Sequence, residues 1–287
     1  VTPSESIAPE IVIEPTHGLR FVAWRDLYAY RDLMWLLVWR DFATRYKQTI
    51  LGPLWHILQP LFTTIVFTIV FGQVAKLPTD DLPPTLFYLC GLLAWSYFAQ
   101  TFNSTSSTLV ANAGLFGKVY FPRLIVPLSG VISNVFSFLI QLASFFCVLL
   151  IYRASHPGVT YGPHWSAIIF LPLILAQLAA FSLGVGLWLA ALTSKFRDFS
   201  VLSGFMLQLW MYITPVIIPL TKVPPQWHIY VALNPVTMPV ECFRNLLLGT
   251  GWINPSLILV SIGATLVALV SGLLIFQRVE KTFVDVV

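Results

Sequence analysis

Six long stretches of this chain, 54–75, 85–110, 124–152, 165–192, 199–220 and 255–276, hold no Lys, Arg, Asp or Glu. A helix crossing a hydrocarbon layer about 30 Å thick needs roughly 20 predominantly apolar residues, and each stretch reaches that length. A charge at mid-membrane costs roughly 2.5–3.5 kcal/mol on insertion scales, so the gaps in charge fall where spans would put them. The pattern predicts an all-α polytopic membrane protein with six transmembrane helices. Only 10% of the 287 residues are charged, and the mean hydropathy is +0.81. A soluble domain carries about 25% charged residues.

The charges report orientation. Six spans put both termini on one side. With that side cytoplasmic, Lys76, Arg153, Lys222 and Arg244 lie outside, and the other twelve Lys and Arg lie inside. That asymmetry satisfies the positive-inside rule, so the net charge of +4 reflects topology and implies no nucleic-acid partner. Cys90, Cys147 and Cys242 stand singly, without metal spacing, and are expected to be small buried apolar residues. Residues 1–18 carry Pro3, Pro9 and Pro15 among Glu5, Glu10 and Glu14, and read as a disordered cytoplasmic tail. No basic segment leads into an apolar core there, so no cleavable signal peptide is expected.

Residues 19–52 read as an amphipathic helix lying in the inner interface. At about 100° per residue, Trp24, Leu27, Tyr28, Met34, Trp35, Val38, Phe42 and Tyr46 share one face. Arg31 and Arg45 sit on that apolar side, so either their guanidinium groups snorkel to headgroups or the helix breaks between them. Gly52-Pro53 then turns the chain into the first span. Before the last span, 221–254 is apolar but broken by Pro224, Pro225, Pro235 and Pro239. Its pieces 226–233 and 236–248 are too short to span. They read as half-helices dipping back into the outer leaflet, where irregular backbone must be buried in protein or line a cavity.

Three motifs carry a resemblance. Trp39-Arg40-Asp41-Phe42-Ala43-Thr44-Arg45-Tyr46-Lys47-Gln48-Thr49-Ile50-Leu51-Gly52-Pro53-Leu54-Trp55 continues to Gln59-Pro60. Lys118-Val119-Tyr120-Phe121-Pro122-Arg123, with Pro127, stands between the second and third stretches. Asn234-Pro235 and Phe243-Arg244 precede the last. In that order, with six spans, the chain from Phe21 onward resembles the type-2 ABC exporter permeases that handle polysaccharides.

The resemblance implies a homodimeric permease of the bacterial inner membrane. It would pair with two copies of a separate ABC ATPase subunit and export O-antigen, capsule or teichoic-acid chains built on a lipid carrier. The permease itself would be no enzyme and hold no cofactor, with ATP and Mg used by the ATPase. The nearest approach to a P-loop, Gly114-Leu115-Phe116-Gly117-Lys118-Val119, is two residues short between its glycines and lacks the following Ser or Thr.

Three candidate sites follow. Residues 112–123, with Phe116, Lys118, Tyr120, Phe121, Pro122 and Arg123, suit a short helix seated in a partner's groove. By residue pattern alone they equally suit a basic loop that sets topology. The resemblance assigns them to ATPase coupling. Arg40, Arg45 and Lys47 stand just before the first span, where a lipid-linked pyrophosphate presents its charge; positive-inside topology and anionic-lipid contact explain them as well. Aromatics make up 15% of the chain. Trp55, Gln59, Phe62, Trp95, Phe98, Phe102, Trp210 and Tyr212 suit a conduit in which sugar rings slide over aromatic faces; lipid-facing and helix-packing roles compete. Small residues at Ala264, Ala268 and Gly272, and at Ser182 and Gly186, allow helices to approach closely.

Other classes fit less well. An ion-coupled carrier places ionisable groups in mid-membrane, whereas His56 sits at the inner edge of a span and Glu241 and Arg244 lie in the outer re-entrant region. A membrane-bound glycosyl or phosphoglycosyl transferase needs clustered acids or metal ligands, and Asp80-Asp81 has no His or carboxylate at ligand spacing. An ABC exporter of drugs or lipids on the same scaffold is the alternative that the residues leave open.

Overall fold

The computed structural model describes residues 24–47, 49–116, 121–157, 161–196 and 198–283, and among these no strand occurs. The tail at 1–18 lies outside the described residues, as do Lys118 and Tyr120. Helices α1 (Trp24–Ala29) and α2 (Arg31–Tyr46) are separated by a turn at Tyr30. The break falls ahead of Arg31, and α2 runs unbroken from Arg31 past Arg45. Its buried side is Leu37 and Val38, whereas Tyr28 and Trp35 of the expected face are exposed. Leu27, Leu33 and Met34 pack with Leu37 against Ile125 and Val126.

Gly52 takes a positive φ of 48°, which a side chain would strain. A single 3₁₀ turn, Gly52–Leu54, then leads into α3 (Trp55–Phe67). Beyond Phe67 the helix widens into π-helical turns over Thr68–Val74. Pro84 starts α4 (Pro84–Ser106), where its missing N–H costs nothing. The short helices α5 (Thr108–Ala111) and α6 (Ala113–Phe116) follow, then α7 (Ile125–Ser155) and, after a 3₁₀ segment, α8 (Leu171–Lys195). Next come α9 (Asp198–Ile213), α10 (His228–Ala232), α11 (Thr237–Leu248) and α12 (Pro255–Phe283). Asn254 caps α12 by accepting the Ser256 N–H at 3.0 Å. Gly249, at φ 75°, ends α11 in the left-handed cap that glycine adopts most readily.

Among the described residues, four helices are long and apolar enough to cross a membrane: Gly52–Val74, Ile125–Ser155, Ile168–Lys195 and Pro255–Glu280. The second and fifth stretches depart from the expected pattern for different reasons. α4 has 23 residues but carries Ser96, Gln100, Asn103 and Ser104, and it lies at the centre, packed by α3, α7, α8, α9 and α11. α9 stops after 16 residues, because Pro215 cannot donate the N–H that would continue it.

The tightest crossing joins α8 to α12. A Cβ on Gly184 would lie 2.6 Å from the Ala268 carbonyl carbon, and one on Gly272 would overlap the Gly184 carbonyl. Gly186 serves a different neighbour, since its Cβ would meet Thr105 of α4 at 2.6 Å. Cys90 is buried and Cys242 partly so, but Cys147 is exposed on the outward face of α7, against the expectation that it is buried.

Candidate functional site

The loop before α7 is built into the protomer. Phe121 is 5% exposed and clusters with Leu37 of α2 and with Ile125 and Val126 of α7. Its ring lies 5.8 Å from that of Phe116. Pro122 accepts the Ile125 N–H at 3.0 Å, starting α7. The Arg123 backbone N–H donates to Glu280 Oε1 at 3.2 Å, its Nη1 donates to the Glu280 carbonyl, and its guanidinium lies 5.6 Å from the Phe116 ring centroid. Phe121 and Arg123 thus tie the loop to α2, α7 and α12. The Phe121 ring is therefore covered by its own chain.

The basic residues ahead of α3 divide. Arg40 turns onto its neighbour Asp41, donating from Nε and Nη2 at 3.0 and 2.8 Å, and Nη2 also reaches Asn112 Oδ1 at 3.4 Å. Arg45 points toward the helices: its Nη1 is 3.4 Å from Ser137 Oγ, which is itself 3.4 Å from His56 Nε2. Lys47 is exposed. Beside them, Trp35, Val38, Trp39, Phe42 and Phe136 line an apolar cleft of about 160 Å³.

The aromatic candidates also divide. Phe98 and Phe102 are fully buried and Trp95 is 6% exposed. Phe98 stacks on Phe181 at 5.8 Å and meets Trp210 edge-on at 5.3 Å. Trp210 Nε1 donates to Asn234 Oδ1 at 3.0 Å. In this arrangement these rings offer little or no face to a passing solute. Trp55, Phe62 and Tyr212 are 51%, 59% and 58% exposed, and Gln59 is exposed on α3, the helix that carries Trp55 and Phe62.

One constellation went unassigned in the sequence. Arg244 and Glu241 are both completely buried and form an ion pair at 2.8 Å. Arg244 Nη2 also donates to the Pro215 carbonyl at 2.7 Å, and its guanidinium lies 3.9 Å over the Phe87 ring. Glu241 accepts the Leu220 N–H at 3.4 Å and the Trp252 N–H at 3.0 Å. Asn234 completes the clamp, donating to Thr214 Oγ1 at 2.9 Å while accepting from Trp210 and from the Val236 N–H. The place where α9 ends is therefore held by side chains from 234–244. The available signal was a Glu and an Arg three apart on an otherwise apolar helix, a spacing that pairs on one face.

Residues 32–248 match the family described as ABC-2 type transporter. The chain belongs to that family. It is 31% identical over 224 residues to the O-antigen export system permease protein RfbA of Myxococcus xanthus, covering 77% of this chain and 82% of that one. It is 27% identical over 255 residues to the RfbA protein of Klebsiella pneumoniae, covering 89% and 95%. The polysialic acid transport protein KpsM of Escherichia coli is 27% identical over 246 residues, covering 84% and 91%.

For this ABC-2 type transporter chain, the three motifs take separate places in the fold. The first leads from α2 into α3, the second anchors the start of α7, and the third clamps the end of α9. The last is a scaffold: Asn234 and Arg244 bond to the chain itself, with Arg244 Nε alone of their side-chain atoms buried without a partner among the described residues.

Proposed function

We propose that the chain is the transmembrane permease subunit of an ATP-driven exporter, moving a lipid-linked polysaccharide from the cytoplasm across the bacterial inner membrane. The observation that carries this is the family match together with similarity over most of their length to permeases named for O-antigen and polysialic acid. In this reading α3, α4, α7, α8, α9 and α12 are six spans, α1 and α2 lie at the inner interface, and both termini are cytoplasmic. α10 and α11 re-enter from outside. Two copies pair with two ATPase subunits, which bind the ATP and Mg.

Coupling through 112–123 fits the packing. A partner pressing on this loop acts on Phe121 and Arg123, and so on α2, α7 and α12 together. Lys118 and Tyr120 belong to the same proposed contact. Arg45 and Lys47, with Arg40 held by Asp41, are proposed to meet the pyrophosphate. The apolar cleft beside them suits the hydrocarbon part of a lipid carrier, which a soluble-substrate exporter would not need. The exposed candidates Trp55, Gln59, Phe62 and Tyr212 are proposed to face the conduit between two copies. Trp95, Phe98, Phe102 and Trp210 form the packed wall behind it.

Deleting the gene tests the reading. Cells lacking the chain should lose polymer from the surface and accumulate lipid-linked polymer in the cytoplasm, and a plasmid copy should reverse both. Normal surface polymer in the deletion strain overturns it.

A further inference from the structure

A second site lies at the opposite end of α7 from the coupling loop. By helix geometry, the 31 residues of α7 separate the two ends by roughly 45 Å. There Arg153, Gly162, His164, Trp165, Gly249 and Thr250 line an open cavity of about 440 Å³. That size falls in the range of about 300–1,000 Å³ for small-ligand sites.

A cation in the last turn of a helix is ordinary, because it complements the helix dipole. The surroundings are what make this a site. Its floor carries two glycines, and the left-handed backbone at one of them, Gly249, strains any other residue. A Cβ on Gly162 would stand 3.0 Å from Arg153 Nη1, and one on Gly249, already at φ 75°, would stand 3.4 Å from His164 Nε2. The bond from the His164 backbone N–H to the Leu246 carbonyl, 2.9 Å, ties the wall to α11. Trp165 stacks on Phe146 at 10° between planes and 6.5 Å between centroids, which sets its ring, yet it is 69% exposed. Tyr161 lines the same cavity and is anchored by donating its hydroxyl to the Asp81 carbonyl at 2.6 Å. The Thr250 hydroxyl is buried without a partner among the described residues, and Arg153 forms no ion pair among them.

A fixed aromatic face, a guanidinium and an imidazole around a glycine-lined floor match the chemistry of a sugar ring. The C–H face of the sugar lies on the indole, and its hydroxyls meet donors and acceptors at the rim. An unpaired guanidinium favours a sugar that also carries a carboxylate, because a charge-assisted hydrogen bond is about twice as strong as a neutral one. We propose that this cavity is a saccharide-binding subsite that prefers an acidic sugar unit. Its location rests on the export reading above: there it lies on the outer face, where it holds a unit of the emerging polymer and opposes back-sliding between transport strokes.

The test uses the full chain in detergent micelles with methyl β-D-glucuronide and methyl β-D-glucoside as probes, read by saturation-transfer NMR. Both should bind saturably, the glucuronide about tenfold tighter. Trp165→Ala should abolish binding of both. Arg153→Gln should remove the preference for the glucuronide. Both side chains are exposed, so melting temperature should be unchanged. Absence of saturable binding to wild type overturns the proposal, as does binding unaffected by either substitution. A deletion strain that still displays surface polymer would instead sink the export reading while leaving this binding result intact.

Discussion

The buried pair Glu241–Arg244 permits a quantitative test of how the outer hairpin is held. Arg244→Met keeps much of the volume but removes three interactions: the ion pair at 2.8 Å, the bond to the Pro215 carbonyl at 2.7 Å and the cation over Phe87 at 3.9 Å. Glu241 is then left as a carboxylate with two backbone N–H donors and no counter-charge. Removing one member of a buried pair costs about 3–5 kcal/mol, mostly from the stranded charge. We expect about 4 kcal/mol for Arg244→Met and about 3 kcal/mol for Glu241→Gln, since glutamine keeps one acceptor oxygen for Arg244 and the Leu220 N–H but sets its NH2 against the Trp252 N–H. The double variant strands no charge but leaves the Pro215 carbonyl and one of the two N–H groups without a partner. Its cost should stay near 4 kcal/mol, giving a coupling of about 3 kcal/mol. Arg244→Lys should recover only part of the loss, since an ammonium lacks the planar fork and the flat face for Phe87. Unfolding by SDS titration of the purified protein, followed by circular dichroism, measures all four. An Arg244→Met variant within about 1 kcal/mol of wild type would refute the clamp; additive single costs would refute the pairing.

Phe121→Ala should lower stability by about 3 kcal/mol while weakening stimulation of the partner ATPase, because the ring is a covered core element; coupling lost at unchanged stability would instead place the ring on the partner's surface. Gly272→Ala should cost at least about 2 kcal/mol in the same unfolding assay, since its methyl overlaps the Gly184 carbonyl at a backbone-to-backbone crossing; a neutral result would show that α8 and α12 sit further apart. Phe98→Ala should cost about 3–5 kcal/mol, whereas Tyr212→Ala should leave the melting temperature alone and slow export in cells, a contrast set by full burial against 58% exposure. Arg45→Lys should reduce export without impairing membrane insertion, since it keeps the charge but loses the bidentate fork; wild-type surface polymer in that variant would remove phosphate recognition from Arg45.

The parts of the fold legible in the sequence were those set by chain-local rules. Charge-free stretches marked the helices that can span. Gly52-Pro53 marked the turn into the first span, and Ala268 and Gly272 marked a close crossing. Even there, the partner of each small residue was hidden: Gly186 serves α4, and Gly184, two positions earlier, is the one that receives α12. The period of α2 was readable, and its buried side in part: Val38 of the expected face is covered, and Leu27 and Met34 pack against the cluster around Leu37. Leu37 is covered while Trp35 is exposed, because the helix meets α7 along a line chosen by shape, and both residues are apolar.

That last difference explains why the candidate conduit was the least legible feature. In water, hydrophobicity separates inside from outside, so an apolar stripe on a helix points to the core. In a bilayer the lipid tails are as apolar as leucine, and helices associate through packing and polar contacts. A Phe can then face lipid, a neighbouring helix or a conduit with no change in sequence pattern. Phe62 and Phe98 have the same side chain, yet one is 59% exposed and the other fully buried. Polar residues discriminate better, because a buried polar group must find a partner or a purpose. Asn234 and Glu241 find theirs within the chain, as does Arg244 apart from its Nε, and they mark scaffold. Arg153, exposed at the outer end of α7, forms no ion pair among the described residues, and it is there that a ligand's own charge would complete the set.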